Sequence, residues 1–384
     1  MQPSPYTPGT VATDVPGRQT LLQDVDRRLE FIRQFPRIDG RISVYVGPRG
    51  VGKTSFLRAA QKQADIAGYA TLWVTAGDGS FVDSLVAEFH GLTQSWRGDA
   101  KAVFLGLLSS LSVSAGGVSV TFEGQAGERA QKASLGRALQ SVVEAATRQV
   151  VESGHHGLVI FVDEIQAADD DGLRALAYAW QHMQSEAADL PVMALTAGLG
   201  HSQDVITEAV SFAERFKYEH LGNLDEDAAR SALADAAEDA GVSWAPAALA
   251  EAMDLATGYP YFLQLVGDFT WQAAGYPATG AVLELPHVAQ ARRDFAESRE
   301  DFFRSRWMKA TDAESEVLQA MAQLPPGPKR RGDIAAALAK PTTAISMVRR
   351  SLLDKGLVEA SGWGMLDFTA PGFAEFLKTE LGLD

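Results

Sequence analysis

Gly47-Pro48-Arg49-Gly50-Val51-Gly52-Lys53-Thr54-Ser55 decides how the rest of the sequence is read. It fits G-x-x-x-x-G-K-[ST], a loop whose backbone N–H groups cradle phosphate. Its surroundings fit as well. Arg41 to Val46 is a short apolar run that reads as a buried strand, and Ser55 to Gln63 has the spacing of a helix. A loop between a strand and a helix N-terminus aims unpaired N–H groups at an anion, and the helix dipole adds to the attraction. The glycines let the backbone bend closely around oxygens. Lys53 is placed to reach the β and γ phosphates, and the Thr54 hydroxyl to hold Mg²⁺. A chance glycine-rich turn is the competing explanation, and it leaves the flanking strand and helix unaccounted for.

Three later segments supply chemistry. Gly157 to Val162 is an apolar run that ends on Asp163-Glu164. Fully buried parallel strands read this way, and in such sheets ligands sit at the carboxyl ends of the strands. Asp163 is placed to hold Mg²⁺ through water, and Glu164 to polarise a water for attack on a γ-phosphate. In isolation the pair would equally suit a helix cap. Leu190 to Thr196 is a further buried strand; Thr196 at its end either senses the γ-phosphate or merely turns the chain. Arg215 has two readings: a cation presented to a neighbouring subunit's γ-phosphate, or a surface partner of Glu214 or Glu219.

The bulk properties set limits. A length of 384 residues suits two or three domains, and an apolar fraction of 46% is enough for a sizeable core. The absence of cysteine excludes disulfides, thiolate metal sites and cysteine nucleophiles, and suits a reducing cytoplasm. No apolar run is long enough to span a membrane. Residues 1–14 begin polar and proline-rich and are expected to be flexible. A net charge of −15 argues against a nucleic-acid coat protein, yet it leaves room for a local DNA-binding patch.

The remaining segments are architectural. Leu21 to Phe35 is an amphipathic helix, and Tyr69 to Val74 a second strand. Leu111 to Glu123 alternates small polar and β-branched residues about Gly116-Gly117, which predicts a β-hairpin insertion near 111–123. Leu224 to Gly241, Ala247 to Thr257, Phe262 to Ala274 and Val288 to Arg306 read as four helices of a lid. Beyond Thr311 come three helices, a strand–turn–strand over Leu357 to Phe368, and a closing helix, Phe373 to Leu381. That order describes a winged helix-turn-helix. Thr342, Thr343, Ser346, Arg349 and Arg350 would then meet duplex DNA, with Lys329, Arg330 and Arg331 on its phosphates. Asp333, Asp354, Glu359 and Asp367 lie in the same unit and suit a protein contact or an internal brake instead.

Together these residues resemble the bacterial AAA-type ATP-binding proteins related to the origin-recognition and archaeal-ATPase groups, from Val15 to Leu381. Val15-Pro16-Gly17-Arg18 resembles their N-terminal Gly-Arg box near the adenine. Gly47 to Thr54 is similar to Walker A, and Val159 to Glu164 to Walker B. Thr196 to Leu199 resembles the sensor-1 strand end, and Ala213 to Phe216 the box carrying an arginine finger. Thr257 to Gln264, with Pro260 and Tyr261, is similar to the lid motif. The resemblance implies an α/β P-loop NTPase: an αβα sandwich with a parallel sheet over 15–222, a helical lid over 223–306 and a winged helix-turn-helix over 307–384. It implies ATP and Mg²⁺ as cofactors, slow or partner-stimulated hydrolysis, and self-association through Arg215. Tyr261 stands where many such ATPases carry a sensing arginine, and here the chain resembles the signalling-type NTPases. Three functions follow: an ATP-driven switch, a DNA-linked ATPase, or an autoinhibited signalling or defence NTPase with a protein partner.

Overall fold

The structure is a computed structural model and describes residues 1–12, 14–96, 99–115, 125–212, 215–362 and 364–382. Helix α1 (Gln19–Gln34) leads to strand β1 (Ile42–Val46), the phosphate loop and helix α2 (Lys53–Ile66). Strand β2 (Ala70–Thr75) and helices α3 (Phe81–Leu92), α4 (Asp99–Ala115) and α5 (Gln125–Glu152) follow. Then come β3 (Leu158–Asp163), α6 (Asp170–Glu186), β4 (Val192–Gly198), α7 (Ser202–Ala209) and β5 (Phe216–His220). The strands form one five-stranded parallel sheet in the order β2-β3-β4-β1-β5.

Every residue of β1, β3 and β4 is buried, because helices cover both faces. Side chains alternate between faces along a strand. Phe161 and Leu195 therefore pack with α1 and α2, while Ile160 and Ala194 pack with α3, α5 and α6. This is the α/β sandwich expected, and it explains why the central strands read as unbroken apolar runs. β5 was not legible as a strand. It lies at the sheet edge and carries Lys217, Glu219 and His220, the charged composition that keeps an edge from pairing elsewhere.

The expected hairpin is corrected in its first part. Residues 111–115 are the last turn of α4, and 116–124 lie outside the described residues. Phe104, Leu108 and Leu111 recur at helical spacing and bury against the core. The Ser112 and Ser114 hydroxyls donate back to the carbonyls of Leu108 and Ser110, so small polar residues sit in the helix with their hydrogen bonds made.

Residues after the sheet form α8 (Glu226–Asp239), β6 (Ser243–Trp244), α9 (Pro246–Ala256), α10 (Pro260–Ala273), β7 (Val282–Leu283) and α11 (Leu285–Trp307). The last unit holds α12 (Asp312–Gln323), β8 (Lys329–Arg330), α13 (Arg331–Ala337), α14 (Ser346–Asp354), β9 (Val358–Gly362), β10 (Met365–Phe368) and α15 (Phe373–Leu381). Its strands make an antiparallel sheet ordered β8-β10-β9. Helix α11 joins the two units into one apolar core: the Phe303 ring lies 5.4 Å from that of Phe373 and 5.6 Å from that of Phe376.

The N-terminal segment is not loose. Tyr6 is buried among α8, α10 and Trp244; its hydroxyl donates to the Leu233 carbonyl at 2.5 Å and accepts from Trp244 Nε1 at 2.9 Å. Its ring fits where Gly267 leaves room, since a Cβ there would come within 2.7 Å of it. Burial of this aromatic and its two hydrogen bonds offset part of the entropy lost in ordering the segment.

Candidate nucleotide site

The phosphate loop leaves β1 in the interior of the sheet, at the carboxyl ends of the strands. Gly47 is required by close approach: a Cβ there would lie 2.3 Å from the Leu221 carbonyl oxygen. Gly50 adopts φ +79, and a Cβ there would lie 2.8 Å from the Tyr259 hydroxyl of the lid. Lys53 opens α2 and is buried; its Nζ donates to the carbonyls of Gly47 at 3.1 Å and Pro48 at 2.8 Å. Burial pulls its ammonium down to about 8, against the opposing pull of Glu164 and Asp163.

β3 delivers Asp163 and Glu164 to the same place. The Thr54 hydroxyl donates to Asp163 Oδ2 at 2.7 Å, a hydroxyl and a carboxylate on one spot. Burial raises the Asp163 carboxyl above its ordinary value, and the Thr54 hydrogen bond opposes the shift. A magnesium ion takes few protein ligands and completes its shell with phosphate and water, so this donor pair fits one. Glu164 sits at φ 54, a left-handed conformation that costs a non-glycine residue roughly 1 kcal/mol or more and tends to cluster at functional sites. Its carboxylate accepts from the Gln166 side chain.

A cavity of about 430 Å³ joins these groups; it is lined by the phosphate loop, Glu164, Arg18, Pro260, Tyr261 and the N-terminal segment. Val15, Pro16 and Arg18 line it, with Arg18 donating to the Gly222 carbonyl, while Gly17 turns toward Ala228 and Leu224. The lid is tied to the loop by Tyr259, whose hydroxyl donates to the Arg49 carbonyl. Tyr261 stacks on Phe302 with ring centroids 5.1 Å apart. The N-terminal segment and Tyr259 were not anticipated. The Ala12 N–H donates to the Ser55 hydroxyl at 3.1 Å and the Thr7 N–H to Gln264 at 3.0 Å, so the segment bridges loop and lid. A lone tyrosine among prolines was the only trace of this in the sequence.

Two expected groups stand elsewhere. Thr196 is not at a strand end. β4 continues to Gly198, Thr196 is fully buried, and its hydroxyl is committed to the Ser43 carbonyl at 3.0 Å. Arg215 precedes β5, while the phosphate loop follows β1, the parallel neighbour of β5. It is therefore a strand length, roughly 16 Å, from its own phosphate loop. Its Nη1 lies 3.5 Å from Gln184 Oε1, and its buried Nε has no hydrogen-bond partner among the described residues.

The C-terminal cations are engaged differently from expectation. Thr342 and Thr343 form a short 3-10 turn before α14; Thr343 and Ser346 are exposed. Arg350 instead donates to Glu208 of α7 at 2.6 Å, and Arg349 lines the same surface cleft as Asp204 and Thr207. Asp354 meets His201 Nε2 at 3.1 Å. Burial lowers the His201 imidazole below its ordinary value, so at neutral pH this contact is a hydrogen bond, not an ion pair. Lys329 is buried against Asp367 in the small sheet; Arg330 and Arg331 are exposed. β9 brings Glu359 over Gly200, where a Cβ would lie 3.8 Å from the Glu359 Cβ, and Gly356 abuts Arg49. The C-terminal unit thus rests on the edge of the sheet that carries the phosphate loop.

Comparison with known proteins follows this division. Residues 14–195 match the AAA ATPase domain, and residues 300–377 match a domain of unknown function (DUF8462). No curated protein matches the sequence. Among solved structures, a Walker-type ATPase of Pyrococcus abyssi is similar over 98% of this chain and 99% of its own, with a TM-score of 0.59 and 14% identity. The ORC2 protein of Aeropyrum pernix, in ADPNP–ADP complexes, is similar over 99% of this chain and 97% of its own, with a TM-score of 0.58 and 13% identity. At these identities the likeness is one of fold. No helix among the described residues is long and apolar enough to cross a membrane.

Proposed function

We propose that this chain, whose residues 14–195 form an AAA ATPase domain, is an ATP-hydrolysing switch whose C-terminal unit is docked on the ATPase core and released by turnover. The observation that carries it is the seating of α14: Asp354 holds His201, just beyond the end of β4, and Arg350 holds Glu208 in the last turn of α7. ATP fits between the loop and the lid. Lys53 neutralises the β and γ phosphates; Thr54 and Asp163 would hold Mg²⁺, which adds charge neutralisation to the same oxygens. Glu164 takes a proton from a water as its oxygen bonds to the γ-phosphorus and the bond to the bridging oxygen breaks. ADP, phosphate and a proton result.

The order of helices and the β8-β10-β9 sheet support a winged helix-turn-helix for the C-terminal unit. Arg350 is paired with Glu208 of the core, which favours a unit that contacts protein over a free DNA reader. Duplex DNA would have to await release and would meet the exposed Arg330 and Arg331 first. Arg215 cannot serve its own site, so a role at a γ-phosphate requires a second copy of the chain.

Glu164→Gln tests the chemistry: hydrolysis should fall by about 10²–10⁴-fold with ATP still bound. Wild-type turnover in that variant overturns the assignment. Hydrogen exchange over 346–354 tests the switch. Exchange should be faster in the wild type with ADP than in Glu164→Gln with ATP, and equal rates would overturn release on hydrolysis.

A further inference from the structure

The turn Ile165–Ala167 follows Glu164, and Gln166 is its middle residue. The Gln166 amide makes two hydrogen bonds at once. Its Nε2 donates to Glu164 Oε2, and its Oε1 accepts from the Leu199 N–H at 3.0 Å. The partners fix its orientation, because a carboxylate only accepts and an N–H only donates. The chain leaving β4 closes around this amide: a Cβ on Gly198 would lie 2.6 Å from Gln166 Oε1. The next residues of that loop, Gly200 and His201, are those that Glu359 and Asp354 of the C-terminal unit rest on.

We infer that Gln166 is a positioning residue that fixes the Glu164 carboxylate and makes its position depend on the C-terminal unit being seated on the 199–201 loop. The inference rests on the hydrolytic role of Glu164 proposed above. Glu164 needs such support, since its backbone is in the left-handed region. Gln166 occupies one carboxylate oxygen and leaves the other for water, while Glu164 still lines the nucleotide cavity. If the loop shifts as the C-terminal unit departs, the Leu199 N–H leaves with it. The amide then has one anchor instead of two, and the base loses its fixed place. A contact some distance from the phosphates is thereby read out as a change in turnover.

The test is steady-state ATP hydrolysis together with equilibrium binding of ATP. Gln166→Glu keeps the acceptor for Leu199, removes the donor to Glu164 and sets two carboxylates together. Its kcat should fall about a hundredfold, the scale of a small misplacement of a reacting group, with KM and Kd for ATP within about twofold of wild type. Gln166→Ala, which adds no charge, should show the same split and serves if Gln166→Glu does not fold. Asp354→Ala alone should also lower kcat, and should lower it little further in the Gln166→Ala background. A wild-type kcat in both Gln166 variants, with Glu164→Gln inactive, overturns the positioning role. Independent, multiplying effects of Asp354→Ala and Gln166→Ala overturn the dependence on docking. If Glu164→Gln itself turns over normally, the hydrolytic assignment fails instead.

Discussion

Helices α2 and α14 make an instructive pair. Each was expected to present cations and hydroxyls to phosphate, α2 to a nucleotide and α14 to DNA. In α2 the residues stand as the motif requires, and Lys53 finds its partners only six and five positions back in the chain. At α14 Ser346 stays exposed, and Arg350 turns to the protein itself, pairing with Glu208 across 142 positions. A motif whose geometry is set by neighbouring residues can be read locally. The direction in which an amphipathic helix faces is set by whatever distant surface takes it, and no local pattern records that.

The contrast can be broken at several points, the largest first. Lys53→Ala should weaken ATP binding about a thousandfold, since it deletes charge-assisted hydrogen bonds from a buried site; unchanged affinity in a nucleotide titration would remove α2 from the comparison. Tyr6→Ala should cost about 3 kcal/mol of unfolding free energy, the scale of a large-to-small change in a core, measured by urea denaturation. An unchanged midpoint would mean that the N-terminal segment only covers the lid. Tyr259→Phe deletes the hydrogen bond to the Arg49 carbonyl and should weaken ATP binding by about 1 kcal/mol, with the fold intact. No loss in a binding titration would show that lid and loop are held by packing alone.

A further expected effect concerns pH. Burial, with Asp367 adding and Lys53 opposing, pushes the Glu359 carboxyl up to about 7 from 4.5. The docked form therefore holds a proton that an exposed carboxylate has released, and docking weakens as pH rises from about 4.5 to 7. Hydrogen exchange over 346–362 should be slower at pH 5 than at pH 7.5 after correction for intrinsic rates. Glu359→Gln should flatten that difference, and an unchanged pH dependence would place its origin elsewhere.

Much of the site was legible. The structure brings the phosphate loop, Asp163-Glu164 and Arg18 together at the carboxyl ends of the strands, and helices follow the sheet. What failed did so for physical reasons. Thr196 looked terminal because glycine follows closely, yet β4 runs on to Gly198, whose carbonyl accepts from the Gly47 N–H at 3.2 Å. Residues 111–115 looked like a hairpin arm because serine and valine alternate, but apolar side chains three and four apart had a core to enter. Lys329 looked free to meet phosphate, but sits in a two-residue strand whose partner, β10, supplies Asp367.

Tyr6 and Ala12 mark the two ends of a leash. One end is sunk in the lid and the other is hooked to Ser55 on α2, six residues away along the chain. Six residues drawn straight reach about 20 Å. As long as both ends hold, that length caps how far the lid can swing from the loop, and any wider opening must first pull an aromatic ring out of its socket.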